Sequence, residues 1–415
     1  MTADTQQASG TDAGPADAGP MAGIRVLEMG SLIAGPFAGQ LMGDYGADVI
    51  KIEPVEAGDP LRRWGTMADG ESLWWPTIAR NKRSVAVNLR DQECQQLIRS
   101  LAARCDIVVE NFRTGTLDKW GLGYSRLSQL NPGIIVVHVS GFGQTGPRAA
   151  EAGFGSIGEA VGGIRFTTGD PDSLPSRTGI SLGDSLAALF AVIGALGALA
   201  ARQRTSVGQE IDVAIYEAVA ALMESTMADY EHAGVLRSRT GSTLPGVAPS
   251  NAYTCADGVD VIIAANADGV FRRLSRAMGR AELADDPLFA DHRSRGQHAE
   301  ELDGHIQSWC GKHKSPDVLA ALADAGVPAG KIYAAPDMIS DPHYLARQMV
   351  LRPDPGGPVI PMTGIVPKFT GTPGQVRTTG PALGQHTRAV LTELAGLTDR
   401  QVSDLVARGL AREPS

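Results

Sequence analysis

The sequence predicts an α/β protein: a parallel, doubly wound sheet joined to a smaller α+β unit. Three observations carry this reading. Short β-rich runs alternate with helical runs from Ile24 to about residue 140, the order in which crossover helices cover a parallel sheet. A Gly/Pro-rich loop, GSTLPGVAPSN from Gly241 to Asn251, then marks a boundary. Finally, 415 residues with 43% hydrophobic content supply more core than one ordinary domain holds, so two domains or one elaborated domain are expected.

Taken in order, the first twenty residues, MTADTQQASGTDAGPADAGP, cannot bury enough apolar surface to order themselves, and a disordered tail is expected over 1–20. IRVLEM reads as a strand, a Gly-rich turn and AGQLMGDYG as the crossover helix, and ADVIKIE as the next strand. A second βαβ unit follows in SVAVNL, a helical stretch from Gln92 to Ala103, and DIVVEN; a further helical segment leads to IIVVHVS near residue 140. The apolar run from Ser185 to Ala201 is short for a membrane span, mostly Ala and Gly, and flanked by Asp184 and Arg202, so a buried helix is expected. QEIDVAIYEAVAALMESTMADYEHAG reads as a strand leading into a long helix. Residues from about 250 to 325 form the α+β unit, with strands in NAYTCADGVDVIIAA and helices around Val270 to Met278 and His298 to His313. The remainder is Pro/Gly-rich up to residue 385 and ends in a helix carrying LTELAGL and VSDLVARGL, and the chain has no internal repeat.

A formal charge of −9 and a pI near 5.4 argue against nucleic-acid and anionic-membrane partners, which need a basic surface. Cys94, Cys105, Cys255 and Cys310 lie far apart, with no CxxC and no Cys/His pairing at zinc spacing. They suggest neither a metal site nor a disulfide framework, and reduced thiols in a cytoplasm are expected.

Two stretches match G-x-G-x-x-G, GFGQTG from Gly141 and GFGSIG from Gly153. Pro147 follows the first where a dinucleotide fingerprint needs a continuous helix, and both read as loops. The cluster Arg80-Asn81-Lys82-Arg83 suits either a phosphate-bearing ligand or a solvated loop. Arg90 and Lys119 are further cations just beyond predicted strands, where ligands sit in this architecture. The histidines form no triad; His138 lies in an apolar strand, and His232, His305 and His313 on helices, so core or surface roles are expected. No HExxH is present, which removes the common metalloprotease reading. Asp184 ends ISLGD directly before the apolar helix. Composition and spacing alone make it an N-cap, and the same place suits a nucleophile, because helix amides favour an ionised carboxylate.

Four segments, VLEMGSLIAGPFAGQLMGDYGADVIKIE, RNKRSVAVNLR, DIVVENFRTGTLDKWGLGY and GISLGDSLAALFAVIGALGALAARQRTSVGQEIDVAIYEA, together resemble the class III CoA-transferases, the formyl-CoA transferase and carnitine CoA-transferase family, over roughly residues 22 to 400. The resemblance implies a Rossmann-like large domain built from both chain ends (21–225 and 331–415), a small α+β domain with linkers between them (226–330), and an interlocked homodimer. It implies that CoA and acyl-CoA act as substrates, with no permanently bound cofactor and no metal. Asp184, in the position of the acid of the LGD motif, is implied as the nucleophile. CoA contacts are implied at Ile33 and Ala34, at Val87, Asn88, Leu89 and Arg90, at Asn111, Phe112 and Arg113, and at Lys119.

Two departures narrow the reading. At the position of Ile33 formyl-CoA transferase carries a glutamine, which argues against formate or oxalate. Phe154 stands in the loop where the α-methylacyl-CoA racemase branch places a histidine, and racemisation needs an acid/base group on each face of the α-carbon. YEHAGVLRSRTGSTLPGVAPSN with GFGSIGEAVGGIRFTTG looks like the branch that moves CoA from succinyl-CoA to dicarboxylic acids such as citramalate, malate or mesaconate. Arg165, Arg237 and Arg239 are candidates for a second carboxylate, and the loop with Gly246 for oxyanion contacts. The contrasting readings are a racemase-like enzyme and a CoA-binding protein without catalysis.

Overall fold

The computed structural model describes residues 19–68, 70–354 and 359–414. Of the expected tail, residues 1–18 lie outside the described residues, while Gly19 and Met21 are already buried. In chain order come β1 (Arg25–Glu28), α1 (Ala34–Asp44), β2 (Asp48–Glu53), β3 (Lys82–Val87), α2 (Gln92–Ala102), β4 (Ile107–Glu110), β5 (Ile135–Ser140), α3 (Gly155–Val161), α4 (Leu182–Thr205), β6 (Glu210–Ala214) and α5 (Ile215–Ala220). Then follow α6 (Thr226–Ala233), β7 (Ser250–Thr254), β8 (Asp260–Ala264), α7 (Asp268–Ala277), α8 (Ala299–Cys310), α9 (Ser315–Asp324) and β9 (Ala329–Lys331), and last α10 (Thr387–Glu393), α11 (Asp399–Ala407) and β10 (Ala411–Arg412).

Among the described residues the main sheet has seven strands in the order β10-β3-β2-β1-β4-β5-β6. All neighbours are parallel except β10, which runs antiparallel to β3. The strands are apolar on both faces because both faces are covered. Val26, Ile107, Ile135 and Val137 pack with α1 and α4, whereas Leu27, Val108 and Val136 pack with α2, α10 and α11. From β1 the chain steps outward through β2 and β3, then returns to β4 on the other side of β1. Loops leaving the carboxyl ends of β1 and β4 therefore diverge and open a crevice at a topological switch point.

The chain divides into two compact units, one of residues up to Ile164, Thr178–Ser225 and Arg347–Ser415, the other of Arg165–Arg177 and Thr226–Ala346. Compared with the expected boundaries, the second unit runs on to Ala346 and also takes in Arg165–Arg177. Its sheet is antiparallel, β9-β8-β7, and α7, α8 and α9 supply its core.

Several expected elements differ, each for a local reason. α4 starts at Leu182, so Ser181 is the cap residue and Asp184 sits inside the first turn instead of capping it. The long helix after β6 breaks between α5 and α6, where Glu224 takes a positive φ of 51°. The C-terminal helix is two helices: Gly396 turns left-handed at φ 73°, and Thr398 with Gln401 forms a capping box that starts α11. The GFGSIG stretch enters α3 instead of forming a loop. α4 is long and apolar enough to cross a membrane by length and composition. One side of it, including Ala187, Ala191, Ala195 and Ala198, lies in the core with α1 and β5, whereas Leu189, Ile193 and Leu196 are exposed, so the helix expected to be buried is buried on one side only. All four cysteines are free and buried.

Candidate active site

The loop that leaves β1, Gly30-Ser31-Leu32-Ile33, is held from three sides. Asn111, just beyond β4, accepts the Ser31 N–H at 2.7 Å and donates to the Ser31 carbonyl at 2.9 Å. A Cβ on Gly30 would lie 2.8 Å from Asn111 Oδ1 and 3.2 Å from the Gly35 Cα, so this close approach needs glycine. Leu32, with a φ of 66°, donates its N–H to Asp59 Oδ1 at 3.0 Å. Lys51 Nζ donates to the Gly30 carbonyl at 2.9 Å and forms ion pairs with Glu28 and Asp59, both at 2.8 Å.

These charges belong to a buried cluster beneath the loop. Lys82 pairs with Glu28 at 2.7 Å, and Glu53 accepts from Arg62, from Ser84 and from the Asp59 N–H. Burial opposes the Lys51 charge, but the Asp59 and Glu28 carboxylates outweigh it and hold its pKa above the ordinary lysine value. Burial likewise opposes ionisation of Asp59, yet Lys51 holds its carboxyl below the usual range. For Lys82 burial dominates and pushes the pKa down to about 8. Sequence reading missed this cluster. Its signal was single charges inside apolar parallel strands, Glu28 in VLEM and Lys51 in VIKIE.

Ile33 precedes α1 as a cap residue without a side-chain cap, and Ala34 opens the helix, buried. Val87 ends β3 buried, Asn88 and Leu89 are half-buried, and Arg90 is exposed. Phe112 donates its N–H to Glu110 at 2.6 Å and sets its ring edge-on to Trp120. Arg113 and Lys119 are exposed, so with Arg90 they put three cations beyond the carboxyl ends of β3 and β4. The cluster 80–83 is neither a solvated loop nor an open phosphate site. Arg80 is buried on Asp44 at 2.6 Å, Asn81 donates to Asp44 at 2.8 Å, Lys82 reaches Glu28, and Arg83 pairs with Asp48 and Glu393.

Asp184 lies on the same edge of the sheet. Gly141, directly after β5, meets Gly153 so closely that a Cβ on either would lie 2.6 Å from the other's Cα. This contact brings the start of α3 to the carboxyl end of β5. There Gly155 faces the Asp184 carboxyl: a Cβ at 155 would lie 2.2 Å from Oδ2 and 2.7 Å from Cγ. The Gly183 N–H, one residue before Asp184, is donated to Glu159 Oε1 at 3.3 Å. Glu159 is fully buried, and sequence reading passed over it although it lies one helical turn after Gly155. The dipole of a 24-residue helix favours a negative charge in its first turn. Asp184 is therefore an ionisable, oxygen-nucleophile candidate with its rotamer confined by backbone. Phe154 caps α3, is 65% exposed and offers no acid or base.

His138 has a core role. Its Nδ1 contacts Glu110 at 2.5 Å and its Nε2 contacts Glu210 at 2.8 Å, tying β4, β5 and β6 together. Burial opposes its charge, but the two carboxylates outweigh burial and raise its pKa.

Arg165, Arg237, Arg239 and Gly246 fall in the second unit. Arg237 pairs with Asp229 at 3.1 Å, and Arg239 donates to the carbonyls of Phe166, Asp170 and Pro171. Both guanidiniums thus hold this unit's own loops. Gly246, at φ 73°, follows Pro245 in a turn closed by the Val247 N–H on the Leu244 carbonyl, the type II arrangement that needs a positive φ.

Residues 21–387 match the family model described as CoA-transferase family III. The chain is 53% identical to the succinyl-CoA–D-citramalate CoA-transferase of Chloroflexus aurantiacus over 391 residues, covering 94% of this chain and 97% of that protein. It is 40% identical to the beta subunit of the same organism's succinyl-CoA–L-malate CoA-transferase, covering 93% and 96%. Among solved structures, a CAIB/BAIF family protein from Brucella suis superposes with a TM-score of 0.81 at 35% identity, covering 91% of this chain and 100% of that one.

Proposed function

The chain belongs to CoA-transferase family III and is a CoA-transferase, and on that premise we propose that it moves CoA from succinyl-CoA to a dicarboxylic acid, citramalate first, with Asp184 as nucleophile. The observation that carries the chemistry is the Asp184 carboxyl seated against Gly155 in the first turn of α4. The substrate reading is supported by the 53% identity to a succinyl-CoA–D-citramalate transferase.

In this reading an Asp184 oxygen attacks the thioester carbonyl, the C–S bond breaks, and CoA leaves as thiolate from a mixed succinyl-aspartyl anhydride. The thiolate attacks the aspartyl carbonyl and releases succinate, leaving an aspartyl-CoA thioester. The acceptor carboxylate attacks that thioester and expels the thiolate, which then attacks the acceptor's acyl carbon and restores Asp184. A carboxylate is a weak nucleophile, and effective molarities of about 10⁵ to 10⁸ M show what a fixed geometry supplies. The β1 and β4 loops and the cations Arg90, Arg113 and Lys119 are the proposed CoA contacts. Apolar Ile33 supports an acceptor larger than formate.

The test is an acceptor panel with succinyl-CoA as donor: citramalate, malate, mesaconate, itaconate, glutarate and oxalate. The expected result is the highest kcat/KM with citramalate, then malate, and little with oxalate. No CoA transfer to any dicarboxylate would contradict the substrate reading.

The enzyme is further proposed to work as a homodimer. Leu189, Ile193 and Leu196 leave one side of α4 exposed at 44%, 62% and 41%, beside an apolar groove lined by Phe190, Ile211 and Val213. A second copy of this chain is the occupant proposed for that face. Sedimentation equilibrium is expected to give twice the 43.4 kDa chain mass, shifting toward the monomer in Ile193→Asp; a monomeric wild type would contradict it.

A further inference from the structure

Resting on the CoA reading above, we propose that Asp59 is a positioning residue for acyl-CoA. It holds Leu32 in the left-handed backbone conformation and so sets Ile33 and the start of α1 against the ligand. Leucine adopts a φ of 66° rarely, because its Cβ crowds the following carbonyl. Such a conformation persists only where its surroundings over-determine it, and it clusters at functional sites. Here one carboxylate does that: Oδ1 takes the N–H of Leu32 at 3.0 Å and of Leu61 at 2.9 Å, while Oδ2 faces Lys51 at 2.8 Å. The same Lys51 ammonium donates to the Gly30 carbonyl, and Asn111 takes both polar groups of Ser31 between them. The backbone of three successive loop residues is thus anchored in the free protein.

Asp59 is 2% and Lys51 0% exposed, and their polar atoms are engaged by the protein itself, so in this proposal they act through the loop. A buried ion pair contributes little net stability compared with apolar packing, and each member of this one also holds a backbone group of the loop, Lys51 the Gly30 carbonyl and Asp59 the Leu32 N–H. A loop fixed before binding spares the ligand the entropy of ordering it. The low pKa of Asp59 keeps this acceptor ionised across the neutral range.

The test compares wild type, Asp59→Ala, Asp59→Asn and Asp59→Ala/Leu32→Gly by calorimetry with free CoA, amide hydrogen exchange over residues 31–34, thermal melting and steady-state kinetics. For Asp59→Ala, CoA is expected to bind about tenfold more weakly or worse, as for a misplaced preorganised contact. Amide exchange at Leu32 is expected to quicken, KM for acyl-CoA to rise with kcat little changed, and KM for the acceptor to stay put. Glycine takes a positive φ freely, so adding Leu32→Gly is expected to restore most of the CoA affinity while the melting temperature stays low. A purely structural role would not separate the two readouts. Where alanine does not fold, Asp59→Asn keeps an acceptor without the charge, and Leu32→Gly is read in that background instead. Unchanged exchange at Leu32, or affinity that follows the melting temperature in every variant, overturns the positioning role whether or not CoA binds. Wild-type protein that does not bind CoA overturns the CoA reading, and with it the ligand half of this proposal.

Discussion

Asp184→Ala is expected to lower CoA exchange by at least about 10⁴-fold, the scale seen when a nucleophile is removed from a preorganised site, while affinity for free CoA stays close to that of wild type. The two readouts separate because the proposed CoA contacts lie on the loops after β1, β3 and β4, whereas Asp184 stands in the first turn of α4. The fold is expected to tolerate the change. Alanine is the best helix former, and the lost charge at the helix N-terminus contributes about 0.3–1 kcal/mol. A variant with full activity would remove Asp184 from the mechanism.

Gly155→Ala is expected to lower kcat by about 10²-fold or more, the effect of roughly 1 Å of misplacement at a reacting group, without loss of thermal stability. The added methyl would stand 2.2 Å from Asp184 Oδ2 and 2.7 Å from Cγ, closer than atoms can sit, so the carboxyl must swing away. The backbone of α3 has little freedom to yield, because Gly153 is packed on Gly141 and Gly158 on Ile215. In a helix alanine is favoured over glycine by about 0.5–1 kcal/mol, which opposes any destabilisation from the displaced side chain. Lower activity with an unchanged melting temperature therefore points to the position of the Asp184 carboxyl. Wild-type kinetics in Gly155→Ala would show that Asp184 does not react from this rotamer.

Much of the fold was legible because its strands are covered on both faces and read as apolar runs such as VAV and IVV. Boundaries failed where a cap or one left-handed residue decides them: Ser181 ahead of α4, Glu224 between α5 and α6, Gly396 before α11. The two-residue strand β10 has no periodicity to read; it forms because Ala411 and Arg412 meet the edge of β3. α9 was missed, although Pro316 in its first turn is a helix-start signal.

The site was less legible. Local pattern favoured a cap role for Asp184 and merely allowed a nucleophile there; resemblance is what put the nucleophile reading first. Its partner surface, Gly155, lies 29 positions away and shows nothing in sequence except small size. Arg80 read as a phosphate ligand or a solvated charge because its partner, Asp44, is 36 positions away. Asp59 and Lys51 went unnoticed for the same reason: their importance lies in which backbone atoms they reach. Asn111 was expected to touch CoA, and its amide is engaged with Ser31.

The most direct test of the central claim is peptide mass mapping after incubation with succinyl-CoA and trapping with hydroxylamine or borohydride. The account predicts a donor-dependent modification on the peptide containing Asp184, absent with free CoA and absent in Asp184→Ala. Exchange that proceeds with the label on another residue, or CoA binding with no label and no exchange, would contradict it.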